Sequence, residues 1–526
     1  MRVRGIGGAA PMNPTRKLAG LALSPGADAD RVCMVAGERS LTRRQVRNEV
    51  ARAQRELLER GLVPGRRVLA LLDHGPEAVF FLAAASSLGL HLLMPYGLQA
   101  AALPEWLSIA DAAGPDAVVH FKRDRAGLDV LRERCATVVE LPFPAGEAPE
   151  AEAQVLRPEP VDHFLVLFTS GTTGKPKAIS IGEAHICARI GWVTRTMGYG
   201  PTARIFMTGL MNNTTGVINS FGALLHDGTV VFPETPDPGR WPAQVARHRA
   251  THLALRPVAL KQFVSAASTG GDDLSSLRVV SYGGAAVPRA VLEQGRELAR
   301  CDWIQGYGLT ETYGPFCFLG EQGHAEARHL KHVYCIGRPD DSLEVRLEPV
   351  AGHPDGVGEI LVRGEPVMEG YVDVATGVVE PVGAWLRTGD LAEWSPDGDL
   401  VLKGRLAGVL LSENGHRIYP EEVEAVLAGT PGTDEVVLAG LPNPDGPHEL
   451  PVACLCGPIG LHGAEELRAL VTAELRGSLA PEKWPDRVWA TPEPFARSAN
   501  GKIMRGEVAA GVDPARVVLL KGGSDG

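Results

Sequence analysis

The stretch FLVLFTSGTTGKPK, residues 164–177, decides the fold of this chain. Its first five residues, 164–168, are all apolar, which is typical of a strand buried on both faces. The chain then changes abruptly to Gly, Thr, Ser and Lys. A buried strand that runs into a Gly-rich polar loop is characteristic of an open α/β sheet, which binds ligands at the carboxyl ends of its strands. The stretch therefore predicts an α/β fold.

The residues after the strand suit a phosphate group. Glycines let backbone N–H groups turn inward, hydroxyls donate hydrogen bonds, and lysines supply positive charge. The spacing differs from a Walker A loop, which has four residues between its glycines and a Ser or Thr after the Lys, so an ordinary P-loop NTPase is excluded. A polar surface turn is the alternative, but its position after a buried strand favours a phosphate loop. The candidate phosphate-binding residues are Thr169, Ser170, Gly171, Thr172, Thr173, Gly174, Lys175 and Lys177.

Strands and helices alternate on both sides of this loop. A helix is predicted over 43–60 and a strand from Arg67, and further strands begin at Arg204, Thr229 and Arg278. The apolar stretch 79–97 contains Ser, Gly, His and Pro, which favours a buried helix followed by a strand over a membrane span. Alternation of this kind predicts parallel sheets covered by helices.

The bulk properties indicate a small-molecule enzyme rather than a surface binder. The chain has 526 residues, of which 44% are hydrophobic, so two or more domains are expected. The net charge of -11, without a run of Lys or Arg, argues against nucleic acid or an anionic membrane as the main partner. The eight Cys lack the spacing of a zinc or redox site, and no apolar signal segment opens the chain. We therefore expect reduced thiols and a cytoplasmic location.

The phosphate loop resembles the first signature of the adenylate-forming superfamily, which contains acyl-CoA synthetases, nonribosomal-peptide adenylation domains and firefly luciferase. Further segments resemble its other signatures, in the same order, so that the resemblance covers the chain from about residue 40 to nearly its end. These segments are GYGLTET at 306–312, GEILVRG at 358–364 with Gly370-Tyr371, WLRTGD at 385–390, GR at 404–405, NGHRIYPEEVE at 414–424 and SANGKIMR at 498–505.

The resemblance implies a particular architecture. It predicts a large N-terminal domain, 1–403, made of helix-covered mixed β-sheets in two αβαβα-like subdomains with a small distorted β-barrel. A hinge at 404–408 would connect it to a small mobile α+β domain at 409–526. The turn-rich tract SPDGDL at 395–400 independently suggests a boundary near residue 404.

The reaction that the family catalyses explains which residues the site needs. A carboxylate attacks the α-phosphate of ATP, so the enzyme must neutralise the triphosphate and hold two like charges in line. The resemblance implies that Glu311 holds Mg²⁺ and that Thr310 contacts the α-phosphate. Lys502 would bridge the carboxylate and α-phosphate oxygens. Apart from the family pattern, Lys502 would read as a solvated loop charge, and GYGLTET as a turn with a surface acid.

Other matching residues are expected to bind the nucleoside part. Tyr307 offers a flat face for adenine beside Gly308, and Asp390 would accept hydrogen bonds from both ribose hydroxyls. Arg405 would meet ribose or phosphate. The segment SYGGAA at 281–286 lets a base approach the backbone closely, which makes Gly283, Gly284 and Ala285 further candidates.

Three places depart from the family pattern. Ala407, followed by glycine, stands where relatives usually have Asp or Lys at the hinge. Asn212 and Asn213 replace an aromatic residue or His, which suggests a polar acyl pocket, to which Gly306 would also contribute. Arg256 occupies a usually apolar position, and a buried Arg needs an anionic partner. That partner is either a second acidic group on the substrate or an internal Asp or Glu.

We expect ATP-dependent adenylation of a carboxylic acid and then transfer to a thiol, with CoA as the acceptor before a separate carrier protein. Monomer and homodimer both remain open. Variants that perform one half-reaction, form amides, or activate nitrite to diazotise an aryl amine are the alternatives. A non-catalytic nucleotide-binding relative is disfavoured, because a degenerate copy has no need to keep the phosphate loop, Glu311, Asp390 and Lys502 together.

Overall fold

The structure is a computed structural model, and it has the expected α/β architecture. It describes residues 16–23, 28–95, 102–121, 128–135, 137–142, 159–169, 177–285, 287–326, 335–412, 415–443, 448–476, 478–497 and 503–520.

The described strands, in chain order, are β1 Val32–Ala36, β2 Arg39–Thr42, β3 Arg67–Leu71, β4 His91–Met94, β5 Ala117–Phe121, β6 Thr137–Leu141, β7 Leu165–Thr169, β8 Lys177–Ile181, β9 Arg204–Phe206, β10 Thr229–Phe232, β11 His252–Leu255, β12 Val279–Gly283, β13 Asp302–Leu309, β14 Gly314–Leu319, β15 Cys335–Pro339, β16 Glu344–Pro349, β17 Gly358–Arg363, β18 Gly370–Val372, β19 Val379–Pro381, β20 Leu386–Trp394, β21 Leu400–Arg405, β22 Leu410–Leu411, β23 Arg417–Ile418, β24 Glu435–Leu441, β25 Leu450–Cys456, β26 Arg487–Thr491 and β27 Val518–Leu519.

The described α-helices are α1 Leu18–Leu23, α2 Arg43–Glu59, α3 Pro76–Leu88, α4 Leu103–Ala113, α5 Leu128–Arg132, α6 Glu183–Thr196, α7 Thr214–Leu225, α8 Trp241–Arg247, α9 Pro257–Gly270, α10 Arg289–Leu298, α11 Glu321–Ala325, α12 Pro420–Leu427, α13 Ala464–Arg476 and α14 Arg505–Ala510.

A large sheet contains strands from both halves of the first 405 residues. Its order is β16-β17-β20-β21-β15-β14-β13-β12-β11-β9-β10-β1-β2. The run from β13 to β1 is parallel, so the carboxyl ends of β11, β12 and β13 meet at one edge. The strands from β16 to β14 pair antiparallel and continue this sheet where the sequence predicted a small barrel.

A second sheet carries the predicted phosphate loop. Its order is β19-β18-β8-β7-β4-β3-β5-β6, and it is parallel from β7 to β6. Strand β7 contains four of the five residues of the apolar run 164–168, and β8 returns beside it in antiparallel register. The loop therefore connects two neighbouring strands at the same edge of this sheet.

Helix α3 explains the most apolar stretch of the sequence. All of its residues except Glu77 are buried, and it packs against α1, α2 and α7. It ends at Gly89 in a left-handed conformation, and β4 follows directly, as the sequence predicted. Within the described ranges, no helix combines the length and apolar character that crossing a bilayer requires.

The last part of the chain forms a smaller layer of its own. Strands β24 to β27 make a four-stranded sheet, and β22 pairs with β23 in a short ladder. A separate hydrophobic cluster joins α12 and α13 to this sheet through Val423, Leu427 and Val471. The predicted division at 404–408 stays a prediction; β21 of the large sheet ends within it, at Arg405, and β22 begins after it, at Leu410.

Candidate active site

The predicted phosphate loop begins and ends on paired strands. Thr169 at the end of β7 lies opposite Lys177 at the start of β8. For Thr169 only the backbone is described. Outside the described residues lie the other members of the prediction, namely Ser170, Gly171, Thr172, Thr173, Gly174 and Lys175. Their phosphate-binding role stays a prediction.

Lys177 belongs to a cluster that the sequence did not reveal. Its Nζ lies 5.0 Å from the centre of the Tyr371 ring. Burial, and then the nearby carboxylate of Glu311, raise the pKa of Tyr371. A cation, an aromatic hydroxyl and a carboxylate are therefore brought together beside the end of the loop. The Gly370-Tyr371 signature was the signal that could have suggested this contact.

A short turn fixes the direction of Glu311. Residues Thr310–Thr312 form a 3-10 turn at the end of β13, in which Oγ1 of Thr312 accepts a 3.0 Å hydrogen bond from the backbone N–H of Leu309. The backbone N–H of Met368 donates a 2.7 Å hydrogen bond to the carbonyl of Glu311. Thr310 and Glu311 are both partly exposed, so both remain accessible to a ligand.

Two glycines at this edge are required by close strand packing, and a third by its backbone conformation. A Cβ on Gly283 would overlap the carbonyl oxygen of Gly306 on the neighbouring strand, and one on Gly308 would overlap that of Gly314. Gly284 has φ +88°, which side chains rarely adopt. The glycines thus have a structural reason that is independent of any nucleotide. Ala285, the next residue, is exposed.

Asp390 is the most constrained carboxylate of the site. It lies on β20 opposite Arg405 of β21, and Nε of Arg405 is 2.9 Å from its Oδ1. The hydroxyl of Tyr307 donates a 2.6 Å hydrogen bond to its Oδ2. The side chain is buried, with 7% exposed. Burial raises the pKa of Asp390, while Arg405 and the Tyr307 hydrogen bond act in the opposite direction.

Both partners of Asp390 are themselves held in place. Nη1 of Arg405 donates a 2.8 Å hydrogen bond to the carbonyl of Thr388. The ring of Tyr307 meets Phe316 edge-on, with centres 5.4 Å apart. Burial, and then the Asp390 charge, hold the pKa of Tyr307 well above its usual value, so the phenol stays protonated and remains a donor. The two motifs therefore meet, although 83 residues separate them.

The candidate pocket residues separate into different roles. Asn212 is buried and its Nδ2 donates a 3.0 Å hydrogen bond to the carbonyl of Pro95. Asn213 is the N-cap of α7 and accepts a hydrogen bond from the backbone N–H of Gly216, so a local folding role accounts for it. Gly306 is partly exposed.

The burial expected for Arg256 was wrong. The strand β11 ends at Leu255, and Arg256 lies beyond it as the exposed N-cap of α9. Its guanidinium extends over Gly284, because Nε and Nη2 lie 3.8 Å from the place that a Cβ there would take. The arginine is therefore at the same sheet edge as the nucleotide-binding candidates, on the solvent side.

The predicted hinge lies beside a group of glutamates. Residues Leu406–Gly408, which include Ala407, form a 3-10 turn after Arg405. Gly404 has φ +147°, and a Cβ there would collide with the carboxylate of Glu421 on α12. Burial, and then the neighbouring Glu424, raise the pKa of Glu421 to about 7. Lys502, the predicted catalytic lysine, lies outside the described residues.

Comparison with known proteins gives consistent matches. Residues 23–372 match the family described as AMP-binding enzyme. Feruloyl-CoA synthase from Amycolatopsis sp is 28% identical over 502 residues, covering 92% of this chain and 96% of that protein. Sulfoacetate–CoA ligase from Cupriavidus necator is 30% identical over 400 residues, covering 73% and 76%. The solved structure of an amide bond synthetase from Marinactinospora thermotolerans superposes with a TM-score of 0.79 at 27% identity, covering 94% of this chain and 99% of the other.

Proposed function

This chain belongs to the AMP-binding enzyme family of adenylate-forming acid–thiol ligases, and we propose that it adenylates a carboxylic acid with ATP and passes the acyl group to the thiol of CoA. The observation that carries the proposal is the arrangement around Asp390. Its Oδ2 accepts a hydrogen bond from Tyr307, and its Oδ1 forms an ion pair with Arg405. This arrangement lies at the edge where the glycines at the ends of β12 and β13 are partly exposed.

The Asp390 arrangement suits the ribose of a nucleotide. A buried carboxylate with two donors can exchange them for two hydroxyl donors without losing hydrogen bonds, so the exchange costs little. Arg405 then becomes available to the ribose or a phosphate, and the Tyr307 ring to the base. We propose that nucleotide binding makes this exchange.

The residues around Glu311 fit a magnesium ion. Mg²⁺ in nucleotide sites is bound by one or two carboxylates, with phosphate oxygens and waters completing its shell. Glu311 offers a partly exposed hard oxygen donor beside Tyr371. Among the described residues no cluster of three His, Cys, Asp or Glu side chains could hold a metal by itself, so the phosphates would supply the other ligands. The ion would neutralise charge on the triphosphate.

The first half-reaction needs an in-line displacement. A substrate carboxylate oxygen bonds to the α-phosphorus, the bond from that phosphorus to the β-bridging oxygen breaks, and pyrophosphate leaves. We assign to Thr310 and Lys502 the stabilisation of the α-phosphate oxygens, and to the loop 169–177 the binding of the departing phosphates. In the second half-reaction the thiolate bonds to the acyl carbon and AMP leaves.

Rotation about the proposed hinge at 404–408 would switch the enzyme from the first half-reaction to the second. Lys403, just before it, forms an ion pair of 3.3 Å with Glu422 of α12, which also lies 2.9 Å from Lys483. Rotation about the hinge would break the Lys403 pair and leave Glu422 with Lys483. Ala407 adds no hydrogen bond to either arrangement, so ion pairs of this kind would set the balance between the two conformations.

An amine acceptor is the second candidate function. The likeness to an amide bond synthetase covers nearly the whole of both chains. Ala407 stands where relatives usually have Asp or Lys at the hinge. This replacement affects the second half-reaction, because in the family this junction brings the thiol to the adenylate. An enzyme that transfers to a freely diffusing amine has less need of that conformation.

The test is product analysis of ATP incubated with the enzyme, Mg²⁺ and a panel of aliphatic, aromatic and sulfonated acids. Each acid is tested alone, with CoA, and with a simple amine. Acid-dependent AMP and pyrophosphate, with an acyl-CoA only when CoA is present, would support the main proposal. An amide without an acyl-CoA would favour the second candidate. ADP as the product, or AMP that does not depend on any acid, would contradict both.

A further inference from the structure

A cavity of ≈ 580 Å³ opens at the amino ends of β9, β11 and β12. It is far from the proposed active site, which lies at the carboxyl ends of the same parallel strands. These strands have three to five residues and rise about 3.3 Å per residue, so roughly 10–15 Å separates the two edges. The residues lining the cavity are Arg204, Arg247, His248, Arg249, Thr251, Ser275, Ser276 and Arg278.

The lining is polar throughout and strongly basic. Four of these eight residues are arginines, in a chain whose net charge is -11. Arg247 is paired with Glu234. Across the described ranges, Arg204, Arg249 and Arg278 form no ion pair with a carboxylate. Positive charge is therefore concentrated in a concave site that its own neighbours neutralise only in part.

Hydrogen bonds to neutral groups hold two of the unpaired arginines in the wall. Nε of Arg204 donates a 2.7 Å hydrogen bond to the carbonyl of His248, and Nη1 of Arg278 donates one of 3.0 Å to Oγ1 of Thr202. These contacts fix the side chains but leave their charge uncompensated. Asp273 is a nearby acid whose pKa is affected by the charge of Arg249. The pKa of Asp273 is lowered first by hydrogen bonds from Ser275 and last by Arg249.

A purely structural reason covers only part of the cluster. Basic residues at the end of a helix interact favourably with its dipole, which accounts for Arg247 and His248 at the end of α8. Arg204 and Arg278 belong to strand starts and have no such role. Arg249 adopts φ +48°, a left-handed turn conformation in which Gly or Asn is favoured over a long side chain. An arginine at that turn therefore has another reason to be there.

We propose that this cavity binds a small anion carrying two or more phosphoryl groups, such as inorganic pyrophosphate or the polyphosphate chain of a nucleotide. One guanidinium group can bind two oxygens of a phosphate at once, and several converging arginines favour an ion with several such oxygens. The absence of apolar side chains from the lining disfavours an acyl chain. The volume is within the range of small-molecule sites.

His248 provides a readout that is specific to this cavity. Burial and then Arg247 lower the pKa of His248, Glu234 raises it and Arg204 lowers it further. A bound anion offsets the two arginines, so the pKa of His248 should rise. The experiment follows histidine ring NMR signals of the full-length chain against pH, with and without pyrophosphate or ATP in magnesium-free buffer. The variant His248→Gln identifies the signal.

Exposed positions supply the variants. Arg249→Asn keeps a residue that tolerates the left-handed turn, and Arg278→Gln keeps a polar side chain without the charge. Both positions are exposed, so neither variant disturbs the core. Arg240→Gln, an exposed arginine outside the cavity, is the matched control. Thermal unfolding checks that each variant folds.

The proposal predicts a saturable rise in the His248 pKa. The double variant, Arg249→Asn with Arg278→Gln, should weaken the apparent affinity for the anion at least tenfold, and Arg240→Gln should leave it unchanged. The tighter of pyrophosphate and ATP then identifies the source of the phosphoryl groups. No saturable response to either anion would overturn the proposal, as would an equal response to the same concentration of chloride. A response that the double variant keeps unchanged would also overturn it.

Discussion

The hydroxyl of Tyr307 donates a 2.6 Å hydrogen bond to Oδ2 of Asp390. Tyr307 lies near the end of β13 and Asp390 in the middle of β20, so the bond joins two motifs from different parts of the sheet. Since the proposed ribose site uses the same carboxylate, the bond and the nucleotide compete for one acceptor. The unliganded enzyme is therefore stabilised by a contact that binding would replace.

Tyr307→Phe tests this exchange. The change removes the hydroxyl but keeps the ring, so we expect the unliganded protein to lose about 1 kcal/mol of stability. Affinity for AMP should rise by about the same free energy, because only the unliganded protein loses the bond and in the complex a ribose hydroxyl takes the acceptor. Thermal unfolding and calorimetric titration with AMP measure the two effects. Tyr307→Ala, which also removes the ring, should weaken AMP binding. An unchanged or reduced affinity in Tyr307→Phe would contradict the exchange, because the hydroxyl would then be used in the complex as well.

Asp390→Asn should slow acid-dependent pyrophosphate release by about 10- to 100-fold, since charge-assisted hydrogen bonds contribute roughly 1.5–3 kcal/mol. The effect should lie mainly in the KM for ATP. Asp399→Asn is the matched control, because Asp399 is a buried carboxylate of the same sheet with Arg338 at 3.0 Å. An equal loss of activity in the two variants would point to damage to the sheet rather than to a nucleotide contact.

The sequence predicted the fold well because its signals are local. The helix expected at 43–60 is Arg43–Glu59, where a capping box of Thr42 and Gln45 marks its start. The apolar run at 164–168 overlaps strand β7, Leu165–Thr169, at the centre of its sheet, because unbroken apolar character needs burial on both sides.

The site was less predictable, because its contacts join residues far apart in the chain. The sequence gives no distance between Tyr371 and Glu311 or between Gly404 and Glu421. It placed Arg256 inside a strand, but β11 ends one residue earlier and leaves the side chain in solvent. Asn213 was assigned to a pocket, although its position before α7 is also that of a helix cap. Each of these depends on tertiary context.

Lys502→Ala should abolish acid-dependent pyrophosphate formation and leave thiol transfer from a supplied acyl-adenylate largely intact. The reason is that this cation is proposed to stabilise the α-phosphate only while the adenylate forms. Pyrophosphate release and single-turnover thioester formation measure the two steps. Lys261→Ala removes an exposed lysine that meets Asp434 and serves as the control. Equal loss of both steps in Lys502→Ala would remove the assignment.

Arg256→Leu should raise the KM of acids that carry a second anionic group, by roughly 10-fold, and leave simple monocarboxylic acids unchanged. A guanidinium on the solvent side of Gly284 can attract such a group by a charge-assisted contact of about 1.5 kcal/mol or more. Steady-state kinetics with matched pairs of mono- and dicarboxylic acids measure the difference. Arg256→Lys should restore part of it, and a uniform change for all acids would show that the residue does not select the substrate.

The carboxyl of Glu421 makes stability depend on pH. Burial, Glu424 and Asp390 raise its pKa to about 7, while Arg505 lowers it. In the unfolded chain a Glu carboxyl has its ordinary pKa of 4.5, so the folded protein binds the proton more tightly. The contribution of the protonated Glu421 to the free energy of unfolding is therefore fully present below about pH 4.5. It is lost as the pH rises to about 7, by at most about 1.4 kcal/mol per pH unit.

Glu421→Gln keeps this position neutral at every pH and should remove that loss. Denaturant unfolding of the variant and the parent at several pH values between 5 and 8 would show the variant gaining relative stability as the pH rises. Glu507→Gln removes an exposed carboxylate from α14, in the same part of the chain, and controls for the change in net charge. Because Glu421 lies against Gly404, next to the proposed hinge, the ionised carboxylate would also weaken this arrangement of the two layers. A pH dependence that is the same in Glu421→Gln and the parent would place the responsible group elsewhere.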